Sequence, residues 1–168
     1  MPSPHGRTVS APRPQPAEGT FRQLLRTIGL LERVMQPYFA RFGISGSQWG
    51  VLRTLHRAEL EGLTGLRLTD LGDRLLIRPP SVTGIVDRLE RAGLVVRDGS
   101  PEDLRAKLVA LTDKGRQLVG QVLAVHGEQI EKVLGCLSPA EQERLHRLLT
   151  RVGLHLESLL AGREAGNN

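Results

Sequence analysis

Residues Leu66 to Thr112 read LRLTDLGDRLLIRPPSVTGIVDRLERAGLVVRDGSPEDLRAKLVALT, and this stretch decides the fold. Its pattern predicts a short helix, a tight turn, a second amphipathic helix, and then two short strands joined by a polar loop. In the second helix Val82, Ile85, Val86 and Leu89 recur at spacings of three and four, which places them on one buried stripe. Ser81, Thr83, Gly84, Asp87, Arg88 and Arg91 then face outward. Small hydroxyl residues at the start of such a face permit close approach to a major groove, and the arginines behind them reach phosphates. Helix, turn, helix and strand pair in this order make a winged helix-turn-helix, and its outward face predicts double-stranded DNA as the partner.

Thr69 to Leu76 forms the first helix of the pair, with Leu68, Leu71, Leu75 and Leu76 expected inward. Arg67 stands where a Ser or Thr cap would serve, an omission worth about 1 kcal/mol. Ile77-Arg78-Pro79-Pro80 is the turn, because proline is tolerated in a first helical turn where amides lack intrahelical partners. Leu94–Arg97 and Lys107–Leu111 are the strands, and Asp98-Gly99-Ser100-Pro101-Glu102-Asp103 between them is turn chemistry, the wing.

Upstream, Phe21, Leu24, Leu25, Ile28, Leu31, Met35, Tyr38, Phe39 and Phe42 keep helical spacing, with Pro37 expected to bend or interrupt the helix and Gly43 to close it. Ser45-Gly46-Ser47-Gln48 is laid out as a capping box opening a helix that buries Trp49, Leu52 and Leu55 and ends near Ala58. Downstream, Thr112 can cap a long helix through Leu118, Val122, Val125, Ile130, Val133 and Leu137, and Ser138-Pro139-Ala140-Glu141 starts another through Leu145 to Leu159. Residues 1–19 hold five prolines and no apolar periodicity, which predicts a disordered arm. Residues 20–160 form a single domain, with 44–112 the reading head and 20–43 and 113–160 dimerisation helices, and 161–168 are a flexible tail. The long terminal helices carry more apolar stripe than one small head can cover, so a homodimer is expected. The predicted class is mainly α: a winged helix-turn-helix with a two-stranded β-wing, flanked by long N- and C-terminal dimerisation helices.

Composition excludes more than it identifies. No apolar run approaches the ~20 residues of a membrane span, and the N-terminus lacks a signal-peptide core, so a cytoplasmic protein is expected. Cys136 is the one cysteine, which rules out an intrachain disulfide; beside Leu134 and Leu137 it reads as a small core residue. The net charge is +5, yet residues 42–116 carry twelve Lys and Arg against ten acids, so bulk charge does not locate a nucleic-acid surface. The placement of Arg78, Arg88, Arg97, Arg105 and Lys107 around one helix and one loop does. The histidines form no tight ligand cluster, and no nucleophile–base pair, P-loop or dinucleotide fingerprint is present; no metal, no cofactor and no enzyme activity are expected.

Three segments carry a family resemblance: ISGSQWGVL from Ile44 to Leu52, VDRLERAGLV from Val86 to Val95, and DLRAKLVALTDKG from Asp103 to Gly115. In this order and spacing the chain resembles the multiple-antibiotic-resistance regulator (MarR) family over roughly Phe21 to Leu160. The resemblance implies a dimer joined through its terminal helices, with two reading heads on a pseudo-palindrome. It implies that Arg105 enters the minor groove with Asp103 orienting it, where a narrow groove concentrates negative potential. Many relatives have a longer polar residue where this chain has Gly84, so one direct base contact is expected to be missing. The family commonly binds aromatic or phenolic anions between dimer helices and head; Tyr38, Trp49, Arg53 and His56 are the candidate effector-binding residues, with core filling the alternative for Trp49.

Ser81 and Thr83 are thus the candidate base readers, with Arg78 and the wing sharing specificity. Arg88, Arg91 and Arg97 are candidates for phosphate contacts, and Lys107 adds positive charge beside the loop. The expected function is sequence-specific transcription regulation, by repression, with release by a small-molecule effector. The alternative is a winged-helix protein-interaction or assembly module without specific DNA binding.

Overall fold

The computed structural model describes residues 16–76, 79–99 and 107–165. The elements run α1 (Pro16–Ala40), α2 (Gly46–Leu60), α3 (Leu68–Leu75), α4 (Pro79–Arg91), β1 (Val95–Gly99), β2 (Lys107–Leu111), α5 (Asp113–Leu134) and α6 (Pro139–Ala165).

Local chemistry explains the boundaries. Gly43 adopts φ 70°, and its N–H and that of Ile44 return to the carbonyls of Ala40 and Phe39, a left-handed closure of α1. Ser45 Oγ accepts from Gln48 N–H at 3.2 Å while Gln48 Oε1 takes the Ser45 N–H at 2.8 Å, completing the expected capping box. Thr112 Oγ1 accepts from Gly115 N–H at 3.0 Å to start α5, and Ser138 with Glu141 forms the corresponding box at α6. That contact, with both the side chain and the amide of Ser138 donating, holds the Glu141 carboxyl below its usual pKa.

The core lies where α2, α3, α4, the strand pair and the first half of α5 meet. Val51, Leu52, Leu55, Leu71, Val82, Val86, Leu89, Val109, Val119 and Val122 are shut off from solvent. The strands pair antiparallel, Val95 opposite Leu111 and Gly99 opposite Lys107. The extended lead into α3 adds a single bridge, Leu66 to Val109. Gly65 is required there, since a Cβ would stand 2.8 Å from the Val109 carbonyl oxygen.

Several expectations are corrected. α1 begins at Pro16, not after residue 19: proline suits a first helical turn, Glu18 lies favourably near its positive end, and Thr20 Oγ1 donates to the Pro16 carbonyl. Pro37 does not interrupt α1, which runs as one helix to Ala40. Leu76 is not inward. It is 80% exposed, in the left-handed conformation (φ 53°) that ends α3. Arg67 lacks a capping side chain, but Asp70 accepts the Arg67 N–H at 3.4 Å and supplies half of a box. Cys136 is exposed in the α5–α6 turn, because α5 has already ended at Leu134. α6 continues to Ala165, past the tail boundary expected at 161.

No residue of α6 is buried among those described, and Phe21, Leu25, Ile28, Leu31 and Val34 along α1 are all exposed. Leu145, Leu148, Leu149, Val152, Leu156 and Leu159 of α6 are likewise uncovered.

Candidate nucleic-acid interface

α4 is held from behind and open in front. Val82, Ile85, Val86 and Leu89 are buried, while Ser81, Thr83, Arg88 and Arg91 are exposed. The structure therefore brings Ser81 and Thr83, the expected base readers, and two of the expected cations onto one face. Lys107 is exposed at the start of β2, beside the wing loop. Arg78, Asp103 and Arg105 lie outside the described residues.

Arg97 behaves differently from its sequence-based expectation. Its guanidinium pairs with Asp87 at 2.5 Å and with Glu90, and only 19% of the side chain is exposed. The hydrogen bond to Asp87 is the largest cause raising its pKa, helped by the charge of Glu90. It is thus held by two carboxylates of α4. The pairing braces β1 against the recognition helix and offsets the charge of two carboxylates on that helix. Arg91 Nε donates to the Asp87 carbonyl at 3.2 Å, which turns the guanidinium along the helix.

Polar contacts tie this head to its flanking helices. Lys114 Nζ donates to the Ala92 carbonyl at 2.8 Å and Thr112 Oγ1 to that of Gly93 at 2.7 Å, so the end of α4 is fastened to the start of α5. Arg116 bridges Glu59 of α2 at 2.9 Å and Asp113 at 2.8 Å. Arg74 reaches Glu61 at 2.9 Å, joining α3 to the end of α2.

The candidate effector residues divide. Tyr38 and Trp49 are core residues, 5% and 7% exposed, while Arg53 and His56 are half-buried. Two clefts on the described surface lie elsewhere: one between Phe42, Leu94, Lys114 and Gln121, the other between Met35, Phe39 and Ser47. The residue that organises the aromatic group is His126 of α5, which the sequence places only among histidines that form no tight ligand cluster. It stacks on Tyr38 with ring centroids 5.8 Å apart, meets Trp49 edge-on at 5.3 Å, and places Nδ1 3.3 Å from Tyr38 Oη. Tyr38 Oη in turn donates to the Val122 carbonyl at 3.2 Å. Burial pushes the His126 pKa down, and the nearby charge of Arg53 adds to it. Burial raises that of Tyr38. The spacing Val119, Val122, His126 on the inner side of α5 was the available signal.

A sequence pattern of the MarR family matches residues 42–106. The chain is 34% identical over 118 residues to an uncharacterised HTH-type transcriptional regulator, YkoM, of Bacillus subtilis, covering 70% of this chain and 73% of that one. In fold it is similar to the S. aureus MepR–DNA complex, with a TM-score of 0.68 and 26% identity over 79% of this chain and 95% of that one. It is also similar to Bordetella bronchiseptica BpsR, whose DNA binding is regulated by 6-hydroxynicotinic acid, with a TM-score of 0.71 and 25% identity over 81% and 99% of the two chains. With one face of the recognition helix exposed, the two strands behind it paired and these likenesses spanning most of both chains, the protein belongs to the MarR family of DNA-binding transcriptional regulators.

Proposed function

We propose that the chain acts in the cytoplasm as a homodimeric repressor, covering a pseudo-palindromic operator and leaving it when a small aromatic acid binds. The observation that carries this reading is the uncovered apolar face of α1 and α6. Burial of apolar surface contributes roughly 25 cal/mol per Å², and two long helices with Phe21, Ile28, Leu148, Val152 and Leu159 in water would forfeit it. A second copy recovers that burial through the same elements, since a two-fold interface uses one patch twice. Two heads so joined read half-sites about one helical turn, ~34–36 Å, apart. Ser81 and Thr83 meet base edges, Arg91 and Lys107 meet phosphates, and Arg105 with Asp103 and Arg78 completes the contact from wing and turn.

The effector reading rests on His126, half-buried against the Tyr38 and Trp49 rings and close enough to Arg53 to feel its charge, and on His56, half-buried on the same helix as Arg53. An aromatic carboxylate has the plane and the charge to suit them. Its likeness to BpsR adds support.

Light scattering on the purified chain should give twice the monomer mass, and selection of bound duplexes from a random pool should return an inverted repeat. A monomer, or a pool without any motif whose binding vanishes with salt, would overturn the proposal. Promoter occlusion is tested by a reporter that falls in expression when the chain is supplied.

A further inference from the structure

Gly84 stands on the outward face of α4, opposite the stripe of Val82, Ile85, Val86 and Leu89. That is the part of a recognition helix that meets base edges, whereas its flanks meet phosphates. A glycine there supplies no reader. The space above it is not empty, however. A Cβ built at residue 84 would meet one atom within 4 Å, the Nη1 of Arg88 at 3.8 Å. Arg88, one turn on, is folded back toward the start of the helix, the direction that helical side chains favour, and its guanidinium lies over the glycine.

The neighbours of Arg88 are engaged elsewhere. Asp87 and Glu90 are held by Arg97, and Arg91 is hydrogen-bonded to the Asp87 carbonyl. Arg88 is exposed and forms no ion pair with any described residue. A planar fork of donors therefore rests over the middle of the reading face with its charge uncompensated. Guanine, with O6 and N7 in the major groove, is the base edge that a guanidinium recognises with two parallel hydrogen bonds.

We propose that Arg88 reads a guanine in each half-site from above Gly84, and is a specificity residue rather than a phosphate contact. The inference rests on the DNA-binding dimer proposed above. Lysine in place of Arg88 keeps the charge but loses the fork, so Arg88→Lys separates the two roles. Gly84→Gln puts a side chain into the space that the guanidinium occupies, and removing a glycine from a helix interior does not weaken the helix.

The experiment is selection from a random duplex pool with the full chain and both variants, followed by titration of the wild-type motif against its single-base changes at two salt concentrations. The wild type should select one strongly preferred guanine per half-site. Arg88→Lys should lose that preference, on the order of ten- to hundred-fold, with an unchanged salt slope, and Gly84→Gln should alter the preference at the same position. An Arg88→Lys protein that selects the unaltered motif overturns the proposal and leaves the regulator reading intact. A wild type that selects no motif overturns both.

Discussion

Gly115→Ala should destabilise the protein far more than its small size suggests. Gly115 sits in the first turn of α5, where a Cβ would lie 2.1 Å from the Leu94 carbonyl oxygen, 3.1 Å from its carbon and 3.3 Å from Leu111 Cδ2. Cβ contacts under 3.0 Å essentially never occur, so the two backbones must part by roughly 0.9 Å. The same Leu94 oxygen accepts the Thr112 N–H at 3.2 Å, and Thr112 Oγ1 is bonded to both Gly93 O and Gly115 N–H. Overpacking of this kind costs about 1–3 kcal/mol, and weakening one or two of those hydrogen bonds adds about 1 kcal/mol. The helix preference of alanine returns at most ~1 kcal/mol. The net loss should be about 1–3 kcal/mol, a large share of the ~5–15 kcal/mol by which domains are stable.

Urea unfolding followed by circular dichroism measures this directly, and Gly120→Ala in the same helix is the matched control. Among the described residues nothing beyond its own turn of helix backbone lies within 4 Å of a Cβ at 120, so that variant should gain about 0.5–1 kcal/mol. A Gly115→Ala protein within about 0.5 kcal/mol of wild type, inside the usual scatter of surface changes, would refute the close approach of α5 to Leu94.

Leu76→Gly should stabilise by about 1 kcal/mol, measured as a higher urea midpoint, because the leucine is exposed and held at φ 53° where glycine is unstrained. Arg97→Met should cost only about 1 kcal/mol of stability, since Asp87 and Glu90 remain partly exposed, yet it should weaken operator binding in an anisotropy titration; adding Asp87→Asn and Glu90→Gln should restore binding, and no recovery would count against charge cancellation. His126 has its pKa depressed in the folded state, so the unfolded chain takes up its proton first as pH falls. The contribution of this group is therefore full above about pH 6.5, the ordinary imidazole value, and is lost below it, a decline in urea midpoint that His126→Gln should flatten. Arg105→Ala should lower affinity for all DNA and shallow the salt slope by about one counterion, while light scattering shows an unchanged dimer.

Features that depend on neighbours in sequence were legible from it. The capping boxes at Ser45 and Ser138, the Thr112 cap, the Gly43 closure and the buried stripe of α4 each involve residues within a few positions, so spacing alone specifies their geometry. The inward assignment of Leu76 failed for a reason of the same local kind. Apolar periodicity put it on the core side, but a helix that must turn into Arg78-Pro79-Pro80 ends one residue earlier, and its closing residue swings outward. Cys136 went the same way, because Gly135 and Ser138 end one helix and begin the next around it.

Arg97 and His126 mark the other limit, where the deciding quantity is a distance through the fold. An arginine at the end of a wing strand reads equally well as a phosphate ligand or as a counter-ion. Which one it is depends on whether Asp87 and Glu90, ten and seven residues earlier, come round to it once Gly93 turns the chain at φ 70°. They do, and the cation is then engaged by the fold. His126 is the same case at longer range. Its partners Tyr38 and Trp49 are 88 and 77 positions away, brought to it by the packing of α1 and α2 against α5. Removing Arg97 from the tally of free cations leaves the outward face of α4 with Arg88 and Arg91, and Arg91 is already turned along its own helix. The charge left over the groove-facing centre is that of Arg88, which is why the glycine beneath it carries more information about the operator than any arginine count could.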